Sequence, residues 1–93
     1  MQRITEANLE TVVARINRIT NSPATPYTRG DDGRNRANVG NYHLDSAYGG
    51  FSLHRMENEA GGARDVLRCG HVPKRDLWNL MHAYVSGLDD SIV

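Results

Sequence analysis

The chain has 93 residues, of which 11 are basic and 11 acidic, so its formal net charge is zero, and its hydrophobic fraction is 39%. This length predicts one domain, residues 1–93, whose single small core leaves no room for the deep, walled active site of a large enzyme. Zero net charge disfavours non-specific nucleic-acid binding, which depends on neutralising phosphates.

The sequence shows no membrane-spanning segment, no secretion signal and no pair of cysteines. No run of about 18 apolar residues is present to span a bilayer, and no basic segment followed by an apolar one directs secretion. The single cysteine, Cys69, excludes an intrachain disulfide and a thiolate zinc cluster. We therefore expect a soluble, cytosolic protein that does not bind membranes.

The N-terminal segment has the pattern of an amphipathic helix over residues 5–20. Thr5 is a favourable N-cap, and Ile4 with Leu9 predicts a hydrophobic staple across the first turn. Apolar residues then recur at spacings of three and four: Leu9, Val12, Val13, Ile16 and Ile19. Pro23 ends the helix near residue 20.

Residues 21–40 show no apolar period and are predicted to form a long polar surface loop. A short strand near Tyr27 is an open alternative within it. The segment Gly30-Asp31-Asp32-Gly33 is a turn signal, because Asp-Gly tolerates the backbone angles of tight turns, and this turn could be the tip of a loose hairpin.

Residues 41–70 change to the alternating pattern of strands and predict a three-stranded antiparallel meander. Tyr42 and Leu44 alternate with polar residues, and so do Phe51 and Leu53. A glycine-containing turn separates these strands at 45–50, and a second turn at 58–62 precedes a third strand at 65–69.

The last element predicts a helix over 73–87, followed by a tail at 88–93. Its apolar stripe consists of Leu77, Leu80, Met81, Tyr84, Val85 and Leu88, and Gly87 is taken as the C-terminal breaker. The fold class is therefore α+β, an α-β-β-β-α two-layer sandwich with both helices on one face of the sheet.

Alternation divides the side chains of the sheet between two faces. The residues expected to face the helices are Tyr42, Leu44, Phe51, Leu53, Leu67 and Cys69. Those expected on the opposite, open face are Asn41, His43, Ser52, His54 and Arg68. Two interpretations of the open face remain, a solvated surface and a recognition surface.

The spacing of the histidines does not match a known metal motif. His43, His54, His71 and His82 lie on separate elements, and only Cys69 and His71 are near each other. No phosphate-binding glycine loop or nucleophile elbow is present. We therefore expect no metal, no cofactor, no small-molecule substrate and no enzymatic activity.

Arginines are the most distinctive feature of the 21–40 segment. Arg29, Arg34 and Arg36 lie within eight residues, and they are interleaved with Asp31, Asp32 and Asn35. Arginine binds carboxylates and phosphates through two parallel hydrogen bonds and is enriched at interface hot spots. Either these arginines bind a partner, or they pair with the two aspartates on a solvated loop.

The element order, with Lys74 and Arg75 opening the second helix, resembles the double-stranded-RNA-binding domain. In that family a basic pair at this position grips phosphates, which implies an RNA-binding alternative that uses Lys74, Arg75 and Arg68. The family's Gly-Pro-x-His loop is absent; residues 45–50 stand in its place.

Three segments, 40–51, 59–62 and 70–77, resemble small proteins of tailed phages and prophages. Such proteins include anti-CRISPR inhibitors, which block DNA access or base pairing. The resemblance implies a non-enzymatic protein in the cytoplasm of a bacterial host, docked on a defence ribonucleoprotein such as a CRISPR surveillance complex, with possible RNA contact. We assign this docking to the following residues: Arg29, Asp31, Asp32, Arg34, Asn35, Arg36, His43, His54 and Arg68.

Overall fold

The computed structural model describes residues 3–92. The chain order is α1 (Glu6–Ile19), β1 (Tyr27–Arg29), β2 (Asn35–Ala37), β3 (Tyr42–Ala47), β4 (Gly50–Met56), β5 (Ala63–Asp65) and α2 (Lys74–Ile92). Strands β3, β4 and β5 form one antiparallel sheet in that order, while β1 and β2 form a separate antiparallel pair. The α+β class and the predicted helix–sheet layering are confirmed.

The core lies between the two helices and one face of the three-stranded sheet. Its buried apolar residues are Leu9, Val12, Val13, Ile16, Tyr42, Leu53, Leu77, Met81 and Val85. Leu44 pairs with Leu53 across the sheet, and directly paired residues point to the same face. Leu44, Phe51 and Leu67 also pack against this core, as alternation predicts, but Leu80 does not, since it is 40% exposed.

Helix α1 begins where its capping residues predict. The Thr5 hydroxyl accepts from the Asn8 N–H at 3.2 Å, and the Asn8 side chain accepts from the Thr5 N–H at 2.9 Å, which closes a capping box. Near the other end, the buried Asn17 amide bonds both backbone groups of Tyr42, at 2.8 and 3.0 Å. These two bonds fasten α1 to the outer edge of β3.

The prediction of a loop over 21–40 is wrong for its central part, which forms the β1–β2 hairpin, and the alternatives of a strand near Tyr27 and a hairpin tip at the Asp-Gly turn are confirmed. Tyr27 pairs with Ala37 and Arg29 with Asn35. The strands carry no apolar alternation, because they cover no core and only Ala37 among their residues is buried. Turn chemistry and backbone pairing, not burial, therefore hold this hairpin together.

The third strand of the sheet is shorter and earlier than predicted. It spans Ala63–Asp65, and the chain then leaves the strand conformation, since Arg68 and Gly70 have positive φ angles of 54° and 69°. The Asp65 carboxylate accepts from the N–H groups of both residues, at 3.0 and 2.8 Å. Residues 66–71 therefore form a loop, held by the Asp65 side chain, where the end of a strand was predicted.

The last helix is longer than predicted, because α2 continues through Gly87 to Ile92. A Cβ at Gly87 would meet no atom within 4 Å, so this residue lies on the solvent side of the helix. It does not end the helix. Leu88 packs on the core, and Asp89 forms an ion pair with Arg15 of α1 at 3.3 Å. These contacts extend the helix through the segment that was predicted as a tail; Val93 of that tail lies outside the described residues.

The outer face of the sheet is only partly open. His43 and His54 lie on it, as predicted, and they are half-buried. Ser52, however, is only 1% exposed on this face, and Asn41 is fully buried with its side chain bonded to the Pro23 carbonyl at 2.8 Å. The prediction of solvated positions is therefore wrong for these two.

Within residues 3–92, neither helix contains an apolar stretch long enough to cross a bilayer.

Candidate functional site

The tip of the β1–β2 hairpin is a tightly bonded turn. Gly30 donates to the Arg34 carbonyl at 2.8 Å, and Gly33 donates to the Gly30 carbonyl at 3.0 Å. Gly33 has a φ of 78°, the left-handed conformation that glycine adopts without steric cost. The Asp32 carboxylate accepts from the Arg34 N–H at 3.0 Å, so the turn predicted at these residues is confirmed.

The base of the hairpin is held by the Asn38 side chain. Its amide group donates to the Thr25 carbonyl at 2.9 Å and to the Thr28 hydroxyl at 2.9 Å. The Ala37 N–H donates to the Glu59 carbonyl, which joins the hairpin to the turn between β4 and β5. Hydrogen bonds thus fix the conformation of the hairpin at both its tip and its base.

The hairpin presents the predicted arginines to solvent. Arg29, Arg34 and Arg36 are all exposed. Arg36 forms an ion pair with Asp32 at 3.8 Å, whose side chains are 69% and 47% exposed. Within the described part of the chain, Arg29 and Arg34 form no ion pair. One arginine is therefore loosely paired, and two are open to an external anion.

The predicted docking residues fall into separate groups. Six of the nine lie on the hairpin: Arg29, Asp31, Asp32, Arg34, Asn35 and Arg36. His43 and His54 form a directly opposed pair on the outer face of the sheet, one position in from the end near the hairpin. Arg68 lies on the 66–71 loop, where its backbone N–H is bonded to Asp65.

The structure assembles a cluster of histidines on that outer face. The rings of His43 and His54 are 6.1 Å apart edge to face, and the His71 ring lies 6.1 Å from that of His54. The His71 Nε2 is 2.7 Å from a carboxylate oxygen of Asp45. Asp45, His54 and His71 each place one potential ligand atom within 4.8 Å of the other two.

His71 reaches the cluster because the chain crosses close to β4. Phe51 and Val72 exchange two backbone hydrogen bonds, at 2.8 and 3.0 Å, so Val72 takes the place beside β4 that a longer β5 would fill. A Cβ at Gly50 would lie 2.9 Å from the backbone carbon of His71. Glycine at position 50 is therefore required for this close approach.

Local electrostatics differ between the members of the outer face. Burial, and then the neighbouring His54, lower the pKa of His43 and outweigh the opposing effects of Asp45 and Asn41. Burial alone would raise the pKa of Asp65, but hydrogen bonds from the N–H groups of Gly70 and Arg68 hold it below its ordinary value. The loop that carries His71 is thus fastened by an ionised carboxylate at neutral pH.

Cys69 does not lie on the inner face of a strand, where it was expected. It lies on the 66–71 loop, half-buried, with its thiol directed to the Gly70 carbonyl at 3.3 Å. Burial and the nearby Asp65 carboxylate raise the pKa of the Cys69 thiol. The thiol therefore stays protonated at neutral pH, the less nucleophilic form.

Basic residues also gather at the start of α2. Arg3, Lys74 and Arg75 line one shallow depression with Phe51. The Lys74 ammonium lies 5.5 Å from the centre of the Phe51 ring, a cation–π distance. The turn between β3 and β4 beside this depression is short, with only Tyr48 and Gly49 between the two strands.

Sequence reasoning missed the contribution of Asp45 and His71 to the outer face. His71 follows His54 by 17 positions and lies outside any strand, so alternation does not reach it. The available signal was Gly50, since a glycine inside a strand often marks a close backbone approach.

Comparisons with protein-family models, with curated proteins and with solved structures find no match for this chain.

Proposed function

We propose that the protein acts by binding a ribonucleoprotein of a bacterial host through the β1–β2 hairpin, in the manner of an anti-CRISPR inhibitor. The observation that carries the proposal is the fixed hairpin with three exposed arginines, two of which form no ion pair in the described part of the chain. A small non-catalytic inhibitor needs such a projection, because it must reach a groove or channel of its target.

The charge of the hairpin supports a mixed protein and RNA target. Arg29, Arg34 and Arg36 flank the adjacent Asp31 and Asp32, so residues 27–37 carry a net charge of only +1. A surface that bound only phosphates would carry a stronger positive excess. Guanidinium groups among carboxylates instead suit a partner that presents both acidic and basic groups.

The energetic cost of using these arginines is small. The Arg36–Asp32 pair is largely exposed, and exposed pairs contribute about 0.2 to 1 kcal/mol to stability. A carboxylate or phosphate of the partner can therefore take the place of Asp32 as the ion-pair partner of Arg36 without destabilising the fold. The hairpin's backbone bonds keep the arginines in place, which limits the entropy lost on binding.

The test is co-purification of the full chain with a panel of CRISPR surveillance complexes. The variant combines Arg29→Ala, Arg34→Ala and Arg36→Ala, and we expect it to lose co-purification while its Tm stays within about 3 °C of the wild type, since all three side chains are exposed.

A matched control removes the same charge elsewhere, with Arg15→Ala, Arg18→Ala and Arg64→Ala. This control is expected to retain binding. Equal loss of binding in both triple variants would mean that binding depends on net charge and not on the hairpin, which contradicts the proposal. Failure of the wild type to bind any complex would also refute it.

A second candidate, recognition of double-stranded RNA, is favoured by the basic group of Arg3, Lys74 and Arg75 at the start of α2. It predicts binding to a duplex of about 16 to 20 base pairs at about 50 mM salt. Replacing both Lys74 and Arg75 by alanine would then reduce the slope of log affinity against log salt by about two. No duplex binding by the wild type would remove this candidate.

A further inference from the structure

The outer face of the sheet brings two imidazoles and one carboxylate to a single point. Potential ligand atoms of Asp45, His54 and His71 all lie within 4.8 Å of one another, and all three side chains are half-buried. We propose that these residues bind one divalent transition-metal ion of the Zn²⁺ class. This proposal is independent of the binding function assigned to the hairpin.

The chemistry of the three donors fits such an ion. Imidazole nitrogens suit Zn²⁺, Cu²⁺, Ni²⁺ and Fe²⁺, whereas Ca²⁺ and Mg²⁺ prefer all-oxygen sites. Two histidines and one carboxylate are also a ligand set that leaves at least one coordination position open for water or for a donor atom of a partner.

The distances require only small side-chain movements. Tetrahedral Zn²⁺ with bonds of about 2.0 to 2.2 Å holds its ligand atoms about 3.3 to 3.6 Å apart. The Asp45 oxygen and the His71 Nε2 are now 2.7 Å apart, as a hydrogen-bonded pair, and must separate slightly to admit the ion. The third atom, from His54, lies within 4.8 Å of both and must move inward.

The backbone that carries the three ligand residues is held by hydrogen bonds other than the contact between His71 and Asp45. Asp45 and His54 lie on paired strands, β3 and β4, and His71 is fixed by the Phe51–Val72 bonds that follow it. Ser52 lies opposite Asp45 on the same face and is buried there.

His43 stands beside the site but outside its donor set. Its ring lies 6.1 Å from that of His54, and its Nδ1 is 3.2 Å from the Asn41 amide oxygen. His82 lies apart on α2, where its ring contacts Trp78 at 4.3 Å between centroids. His82 therefore provides a histidine control that belongs to another part of the fold.

The test uses the full chain, stripped of metal with a chelator and titrated with Zn²⁺ in competition with a chromophoric chelator. We expect one ion per chain. The variants His54→Ala, His71→Ala and Asp45→Asn are each expected to weaken binding at least about tenfold, while His82→Gln leaves it unchanged. The Co²⁺ complex should show the absorption of a nitrogen- and oxygen-ligated ion without a thiolate band, since Cys69 is not a ligand.

His54→Ala is the decisive variant, because the structure shows no hydrogen bond to its side chain among the described residues and its loss should not unfold the chain. With Zn²⁺ at about 100 times the dissociation constant of the wild type, the Tm of the wild type should rise by about 10 to 20 °C and that of His54→Ala by at most about half as much. Circular dichroism of each metal-free variant checks that it is folded.

Two outcomes would overturn the proposal. One is the absence of Zn²⁺ and Co²⁺ binding by the folded wild type at about 0.1 mM metal, a weak affinity for three converging donors. The other is an affinity for Zn²⁺ that is unchanged in the folded His54→Ala variant. Both measurements use the isolated protein, so failure of co-purification with a ribonucleoprotein would leave them unaffected.

Discussion

On its inner face the three-stranded sheet presents Tyr42 and Leu53 to two helices, whereas on its outer face it presents Asp45 and His54 to the 66–71 loop. The inner residues are buried and apolar, and the outer ones are half-buried and polar. Burial of apolar area is the main stabilising contribution to folding, so the inner face supplies most of the stability. The outer face is free to carry polar groups that recognise a ligand.

The largest effect that separates the two faces is expected from Leu53→Ala. Leu53 is fully buried in the core between the helices and the sheet. Removing its side chain leaves a cavity and should lower the free energy of unfolding by about 2 to 5 kcal/mol. Chemical denaturation followed by circular dichroism measures this loss.

The same substitution at Leu80, on the exposed side of α2, is the control and should change stability by less than about 0.5 kcal/mol. Similar losses at both positions would contradict the placement of the core.

Gly50→Ala tests how closely the loop packs on the outer face. The added Cβ would lie 2.9 Å from the His71 backbone carbon and 3.0 Å from the Val72 nitrogen. We expect a loss of about 1 to 3 kcal/mol, because both neighbours are backbone atoms that cannot rotate away. Thermal unfolding measures it.

Gly87→Ala is the matched control, since the space around that helical glycine is open. It should be neutral or stabilise the chain by up to about 1 kcal/mol. An equal response of the two glycines would mean that the loop does not press on β4.

Asp65 makes the outer face sensitive to pH. Its pKa is lower in the folded chain than in the unfolded one, so its ionised form stabilises the fold above its unfolded pKa. That contribution is lost as the pH falls through the lowered, folded pKa.

The difference in unfolding free energy between the wild type and Asp65→Asn should therefore be largest at neutral pH and shrink in acid. Urea unfolding of both proteins across a pH series measures this difference. A difference that stays constant with pH would show that the charge of Asp65 plays no part.

The smallest effect is expected at the turn between β3 and β4. Tyr48 is fully exposed and has a φ of 54°, and Gly49 follows with a φ of 75°. Two-residue hairpin turns with both angles positive favour Asn-Gly, so Tyr48→Asn should stabilise the chain by about 0.5 kcal/mol. Tyr48→Ala, which lacks the asparagine preference, should not. A gain in Tm for both variants would instead point to a cost of exposing the ring.

The helices and the two long strands were predictable because burial imposes a period on the sequence. The stripe from Leu9 to Ile19 and the Thr5 cap predicted α1 nearly to the residue. Gly87 misled the prediction of α2, because a glycine on the solvent side of a long helix costs about 1 kcal/mol and does not end it when Leu88 packs on the core.

The hairpin and the histidine cluster were harder to predict because no periodic burial accompanies them. Strands β1 and β2 cover no core, so only the Asp-Gly turn signalled them. His71 reaches Asp45 through a loop crossing that depends on bonds between Phe51 and Val72, distant in sequence. Tertiary pairing of this kind leaves no periodic pattern in the sequence, and Gly50 is a local signal of it.

The Asn17 amide has a consequence for how this chain meets copies of itself. Within residues 3–92, β3 is an edge strand that pairs only with β4, and an exposed edge invites another chain to add a strand to the sheet. The Asn17 side chain occupies both backbone groups of Tyr42 at that edge. An incoming strand that paired along β3 beyond Leu44 would have to break these two buried hydrogen bonds. The Asn17 side chain of α1 therefore protects this edge of the sheet against strand addition by another copy of the chain.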